Sequence, residues 1–443
     1  MEAKENEKLF LSLPQDVLFK EILSRVPAKS IGQLSCVSKS WRSSLLHNPQ
    51  LIRAQLHRQR KRKQKLILLS SSPLDHPYFI TLTFNNDNNS ATLNKSNTFP
   101  VLTSLFSSAD KYWIKIVGSC DGLVLVVFEP KRWLFDDNKE ENHHKITLRG
   151  LFDDEGGPDI GNDTGSAGTN NTRATNRMFV INVTTWEVVE LPNNPLELDP
   201  YDNLDGFTLH GFGYDCLNDD YKVVTLTSYP SSGGFCSSSC DVDDSDILVD
   251  VFSLKTSTWK RKRSCFCDLY VPCIGNGVFL NSTLHWLALR RYEGYGPSVV
   301  IVAFNLTSEK FAQVPYPDPN AVGENSLDLN KLFSVGGCLG LVVSCHVCQI
   351  DVWIMEKYGV EESWLPFRII GNGLSSCIPV CVVGPVEVIL QKDGKKFIVY
   401  NLADETWKYL VIDGSSDGDL EEFQCGSVTA FLESLVSPTS LIW

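Results

Sequence analysis

One short pattern recurs along this chain and limits what it can become. Phe179-Val180-Ile181-Asn182-Val183-Thr184-Thr185-Trp186 shares its plan with Val251-Phe252-Ser253-Leu254-Lys255-Thr256-Ser257-Thr258-Trp259. The plan returns at Ala303–Phe311 and Val399–Trp407, and a variant ends at Trp364. Each copy reads as an apolar strand, a polar turn, and an aromatic that opens the next strand. In a hairpin that aromatic packs back over the turn and the preceding strand. On this reading Trp186, Trp259, Trp364 and Trp407 hold equivalent positions, which argues for scaffold over sugar binding.

Such pairs bury their apolar faces only by stacking on neighbours. Copies near the C-terminus lie about 45–50 residues apart, the period of propeller blades of the kelch kind. Partner strands fall between them, as at Asp220–Val224 and Gly277–Trp286. From Leu66 onward apolar runs such as Leu66–Leu69, Leu123–Val127 and Leu341–Val343 alternate with Gly, Asn, Asp and Ser turns. The expectation is an all-β, propeller-like domain over 66–443 with about six or seven blades. A diglycine in a strand context stands clearly only at Gly336-Gly337. Two segments, about 130–176 and about 230–246, are rich in small polar and acidic residues and read as surface loops.

The first stretch has a different period. Ser12-Leu13-Pro14-Gln15 has the form of a helix start. Leu18, Ile22 and Val26 then recur at helical spacing until Pro27. A second helix is predicted from about Ser30, with Leu34, Val37, Trp41 and Leu45 on one face. Asn48-Pro49 breaks it, and Leu51, Ile52 and Leu56 begin a third. Residues 8–55 thus form a three-helix module, joined through a basic linker at 56–65. A module this small has little core and gains from a partner.

Charge and cysteine usage narrow the function. The net charge is −13. An acidic body repels phosphate backbones and anionic lipid, so no nucleic-acid or membrane partner is expected. No secretory leader or long apolar run is visible, so the nucleus, the cytoplasm or both are expected. Most of the fourteen cysteines lie in apolar runs, as Cys36, Cys120, Cys338 and Cys381 do, without framework spacing. Arg58, Arg60, Lys61, Arg62 and Lys63 form the one dense basic run. It is a nuclear-signal candidate, or else a solvated helix end.

Chemistry is sparse. Cys345-His346-Val347-Cys348 and Cys265-Phe266-Cys267 lack a second pair at zinc spacing, so neither metal nor cofactor is expected. His143-His144 and His285 have no neighbouring nucleophile motif. There is no P-loop or dinucleotide fingerprint. The chain reads as a non-catalytic protein with no catalytic residues.

Leu13-Pro14-Gln15-Asp16-Val17-Leu18, Glu21–Pro27 and Cys36-Val37-Ser38-Lys39-Ser40-Trp41 resemble the F-box family. Gly118-Ser119-Cys120-Asp121-Gly122-Leu123 resembles the "GSCNGLL" strand of the plant F-box-associated domain, which is related to kelch propellers. Gly211–Asp215 with Asp219–Val224 resembles its "GFGYD…DDYKVV" element, and Phe431–Pro438 its closing "YVESLVSP" strand. The resemblance implies an α module followed by an all-β domain. It implies a substrate adaptor of an SCF-type (Skp–cullin–F-box) E3 ubiquitin ligase. Leu13, Pro14, Val17, Leu18, Ile22, Leu23, Val37 and Trp41 would form or support the surface for the Skp-type linker, and through it a cullin. The β domain would hold a protein substrate of unknown identity. The alternatives are an F-box scaffold acting outside the ligase and a ligand-binding propeller.

Overall fold

A computed structural model of the chain describes residues 14, 17–59, 65–70, 78–84, 90–96, 112–130, 176–194, 207–228, 247–262, 269–270, 275–290, 298–318, 331–345, 349–370, 377–383, 387–392, 396–401, 403–413 and 425–441. The described strands form six sheets, within the expected range of blades.

The first blade holds β1 (Lys65–Ser70), β2 (Tyr78–Phe84) and β3 (Ser90–Ser96). The second holds β4 (Tyr112–Cys120), β5 (Leu123–Pro130), β6 (Arg177–Asn182) and β7 (Glu187–Glu190). The third holds β8 (Phe207–Asp215), β9 (Asp220–Ser228), β10 (Leu248–Ser253) and β11 (Thr258–Lys262). In the fourth the inner edge is split between β12 (Leu269–Tyr270) and β13 (Val278–Leu280), ahead of β14 (Thr283–Arg290), β15 (Ser298–Asn305) and β16 (Lys310–Val314). The fifth holds β17 (Lys331–Val335), β18 (Cys338–Cys345), β19 (Gln349–Met355) and β20 (Trp364–Ile370). The sixth holds β21 (Cys377–Val383), β22 (Glu387–Lys392), β23 (Lys396–Asn401) and β24 (Thr406–Tyr409).

The remaining strands close the ring. β25 (Val411–Asp413) runs parallel to β3, and β26 (Cys425–Phe431) pairs antiparallel with β1 as the inner strand of the first blade. The inner strands neighbour one another in a circle, from β26 to β4, β8, β13, β17, β21 and back to β26.

Antiparallel order sorts the connections onto two faces. Turns between first and second or third and fourth strands of a blade share one face, and all are short, 356–363 being the longest. The connections 131–176 and 229–247, and those between blades at 97–111, 191–206 and 315–330, attach at the other face.

The helical segment lies on the short-turn face. It comprises a wide turn Val17–Ile22, a tight turn Leu23–Arg25 and helices Ala28–Leu34, Lys39–Leu46 and Pro49–Gln59. The expected single helix from about Ser30 is therefore two. Ser38 is extended and its hydroxyl accepts from Trp41 N at 3.1 Å, so it starts a new helix rather than continuing the old one. Asn48 caps the next, accepting from Gln50 N and Leu51 N at 3.0 Å each.

The equivalence of the four tryptophans also needs correction. Trp259, Phe311 and Trp407 lie across from Phe252, Phe304 and Tyr400. In the second blade the residue in that place is Val188, across from Ile181. Trp186 sits two positions earlier, in the turn, with a φ of 62° like Ser257, Glu309 and Glu405. It is half exposed, because a turn tip has no strand behind it. Trp364 lies across from Met355 beyond a longer turn. Two of these residues hold blades together. Trp259 Nε1 donates to Pro192 O at 2.8 Å and Trp364 Nε1 to Pro315 O at 3.0 Å, each reaching the blade before its own.

The Gly211–Asp215 and Asp219–Val224 segments join the second, third and fourth blades. A Cβ on Gly211 would fall 2.7 Å from the Trp286 ring, and one on Gly213 2.2 Å from the Phe279 ring, so both glycines admit the aromatics of the fourth blade. Lys222 Nζ, 3.0 Å from Asp215, also donates to Leu306 O and to Glu309 Oε1 in the next blade. Asp220 accepts from Ser253 Oγ and Lys255 N.

Candidate partner-binding site

The helices enclose a small core of Leu18, Phe19, Leu23, Ala28, Ile31, Leu45, Leu46 and Leu51. A ninth member, Leu435, comes from the segment after β26 and is fully buried. No reading of the first fifty residues alone could find it, because its partner signal is four hundred residues away in the chain.

The expected interface residues separate by exposure. Val17 is 41% exposed, Ile22 44% and Val37 68%; these are the large apolar side chains left on the surface among the described residues of the helical segment. Pro14 is exposed too. Leu18 and Leu23 face inward, and Trp41 packs half-buried against the same core. Leu13 lies outside the described residues, as do Arg60, Lys61, Arg62 and Lys63; Arg58 is half-buried near the end of its helix. Val37 owes its exposure to the helix break, which removes it from the packed face that one continuous helix would have given it.

The segment is fastened to the propeller beneath. Ile52 and Leu56 pack on the core between the second and third blades. Arg53 and Asp219 form only an exposed contact at 3.8 Å, which contributes little.

Candidate chemical groups are accounted for differently. His285 is fully buried, with Nδ1 3.0 Å from Val278 O and Nε2 2.6 Å from the Tyr358 hydroxyl. The carbonyl can only accept, so Nδ1 carries the proton and Nε2 accepts from Tyr358. Burial lowers its pKa to about 4. His210 is fully buried with both ring nitrogens lacking hydrogen-bond partners, and burial, helped by Lys115, holds its pKa well below the usual value. The Glu129 carboxylate lies 3.7 Å from its Nδ1. Among the described residues no group of three or more His, Cys, Asp or Glu is placed to hold a metal ion. His143, His144, Cys265, Cys267, His346 and Cys348 lie outside the described residues. No helix among those residues is long and apolar enough to cross a membrane.

Family comparison joins these halves. The F-box domain matches residues 10–51, and the F-box associated beta propeller domain matches residues 170–439, more than half of the chain. The chain is an F-box protein of the F-box-associated β-propeller family. Its relatives include F-box protein CPR1 of Arabidopsis thaliana, 31% identical over 228 residues, 47% of this chain and 51% of that protein. F-box protein At4g22390 of the same plant is 29% identical over 42% of this chain and 46% of its own length. This F-box protein therefore spans about half the length of those two relatives. F-box/kelch-repeat protein At3g23880 of Arabidopsis thaliana is 22% identical over 97% of each chain. Among solved structures, the β-propeller domain of the Trilobed protease from Pyrococcus furiosus is 8% identical with a TM-score of 0.35, covering 80% of this chain and 97% of that one.

Proposed function

We propose that this F-box protein is a non-catalytic substrate adaptor of an SCF-type E3 ubiquitin ligase. The observation that carries the reading is the pair of opposed faces. The helical module, with Val17, Ile22 and Val37 exposed, sits on the short-turn face, while the long connections attach at the other. On this reading the module lays its apolar surface on a Skp-type linker, in the manner of helices docking into a groove. Leu18, Leu23 and Trp41 hold that surface in shape from below. On the same reading a protein substrate meets the opposite face, at the strand ends joined by 131–176 and 229–247, since rigid blades with variable connections suit recognition. Ubiquitin transfer then gains from the raised effective concentration of a tethered target. No group on this chain is needed for the chemical step.

The test is capture of the full chain with a purified Skp-type linker and cullin. Val37→Asp combined with Ile22→Asp is expected to remove both partners while leaving the propeller folded. Unchanged capture by the double variant would exclude this surface. Binding of the linker without any change in the half-life of co-captured proteins would favour a scaffold acting outside the ligase.

A further inference from the structure

The F-box core is not made by the F-box alone. Leu435 lies at 0% exposure among Leu18, Leu23, Ile31, Leu45 and Leu51. Its neighbour Val436 lies in the core between the second and third blades, with Phe212, Tyr221 and Val180. Successive side chains of extended chain point to opposite sides, so one short segment enters two cores at once.

The segment is held along its length. Asn182 Nδ2 donates to Ser434 O at 3.1 Å and to Val436 O at 2.7 Å. Ser434 N donates to Thr184 Oγ1 at 3.2 Å, and Val436 N to Ser434 Oγ at 2.9 Å. Glu433 pairs with Lys65 at 2.5 Å, at the start of β1. Gly122, at φ 84°, lies so close that a Cβ there would fall 2.2 Å from Ser434 Cβ. The same turn residues that grip the segment approach the F-box directly, since a Cβ on Gly32 would lie 3.8 Å from Thr184 O.

We propose that residues 432–441 act as a strap that completes the F-box core, so that the partner-binding helices are held in their competent form by the closed propeller. The strap directly follows β26, the strand that closes the ring. An open ring therefore leaves the strap unplaced and the helical core without Leu435. The helices alone are too small a unit to make up that loss. The inference rests on the adaptor reading only for the identity of the partner; the coupling itself is a property of the chain.

The test uses the full chain and two readouts. In Leu435→Ala, amide exchange in Lys39–Leu46 and Pro49–Gln59 is expected to speed on the order of 10-fold, with strand amides of the third and fourth blades unchanged. Affinity for the purified Skp-type linker should fall by a similar factor. Leu435→Met, which keeps the volume, should restore both. Helix exchange unchanged in Leu435→Ala, or strands loosened as much as helices, would overturn the proposal. If the helices respond while even the unaltered chain fails to bind the linker, the adaptor reading fails and the strap stands.

Discussion

Lys222 and Asp215 sit 3.0 Å apart with almost no solvent around either, the lysine side chain 8% exposed and the carboxylate 0%. They belong to paired strands of the third blade, yet the ammonium also reaches Leu306 O and Glu309 of the fourth. Burial pushes the Asp215 pKa up, but hydrogen bonds from Asn218, Thr307 and Lys222 together outweigh it and hold the group at about 2. Lys222→Met leaves that carboxylate buried without its cation. The expected loss is about 3–5 kcal/mol in chemical denaturation. A loss no larger than that of Arg53→Met, at the exposed Asp219 contact, would contradict the assignment.

Stability is expected to fall on mild acidification. His285 is held neutral at about 4 and His210 well below its usual range, both by burial. Unfolding returns each to about 6.5, so the unfolded chain binds protons that the folded one refuses. The folded state is then fully favoured above about 6.5 and loses ground as pH drops toward 4. His285 alone accounts for about 2 kcal/mol at pH 5, and His210 adds to it. Asp215 stays ionised throughout that window. Denaturant midpoints measured from pH 8 to pH 5 should decline, and His285→Gln should flatten the slope.

Gly122→Ala is expected to be severe, because this turn glycine is buried. It places a side chain both in left-handed backbone and against Ser434. A loss of about 2 kcal/mol or more is expected from strain and displacement together. Thermal unfolding of the full chain checks it, and a shift within error would mean that the turn and strap yield easily.

Two tryptophans should behave unlike a third. Trp259→Phe and Trp364→Phe each remove a donor from a proline carbonyl of the preceding blade, with an expected loss of about 1–2 kcal/mol. Trp186→Phe, in a half-exposed turn, should change stability by less than about 0.5 kcal/mol. Equal effects at all three positions would restore the equivalence that the strand register denies.

The sequence carried the fold where the signal was local. Strand period, the polar turns and the aromatic that follows most of them announced the blades. Asn182, Asn305 and Asn401 each accept backbone N–H groups two and three residues on, a purely local device. Register was harder, since Trp186 mimics the later aromatics in spacing and differs only in which side of the turn it occupies. The helix break at Ser38 was hidden because Leu34, Val37, Trp41 and Leu45 keep a helical rhythm across it. Leu435 was beyond reach, because a residue that fills a core far back in the chain leaves no periodic trace beside it. Exposure of Val37 and burial of Leu23 likewise depend on packing, not on type, as both are apolar.

The sorting of connections onto opposed faces separates two kinds of constraint. Residues beneath the helices work in tight turns where a single methyl group, as at Gly122, meets a neighbour. The segments 131–176 and 229–247 hang from strand ends whose blades are already complete without them. A change of length between those strand ends leaves every described strand pairing of the six sheets in place, so the framework tolerates it without rearrangement.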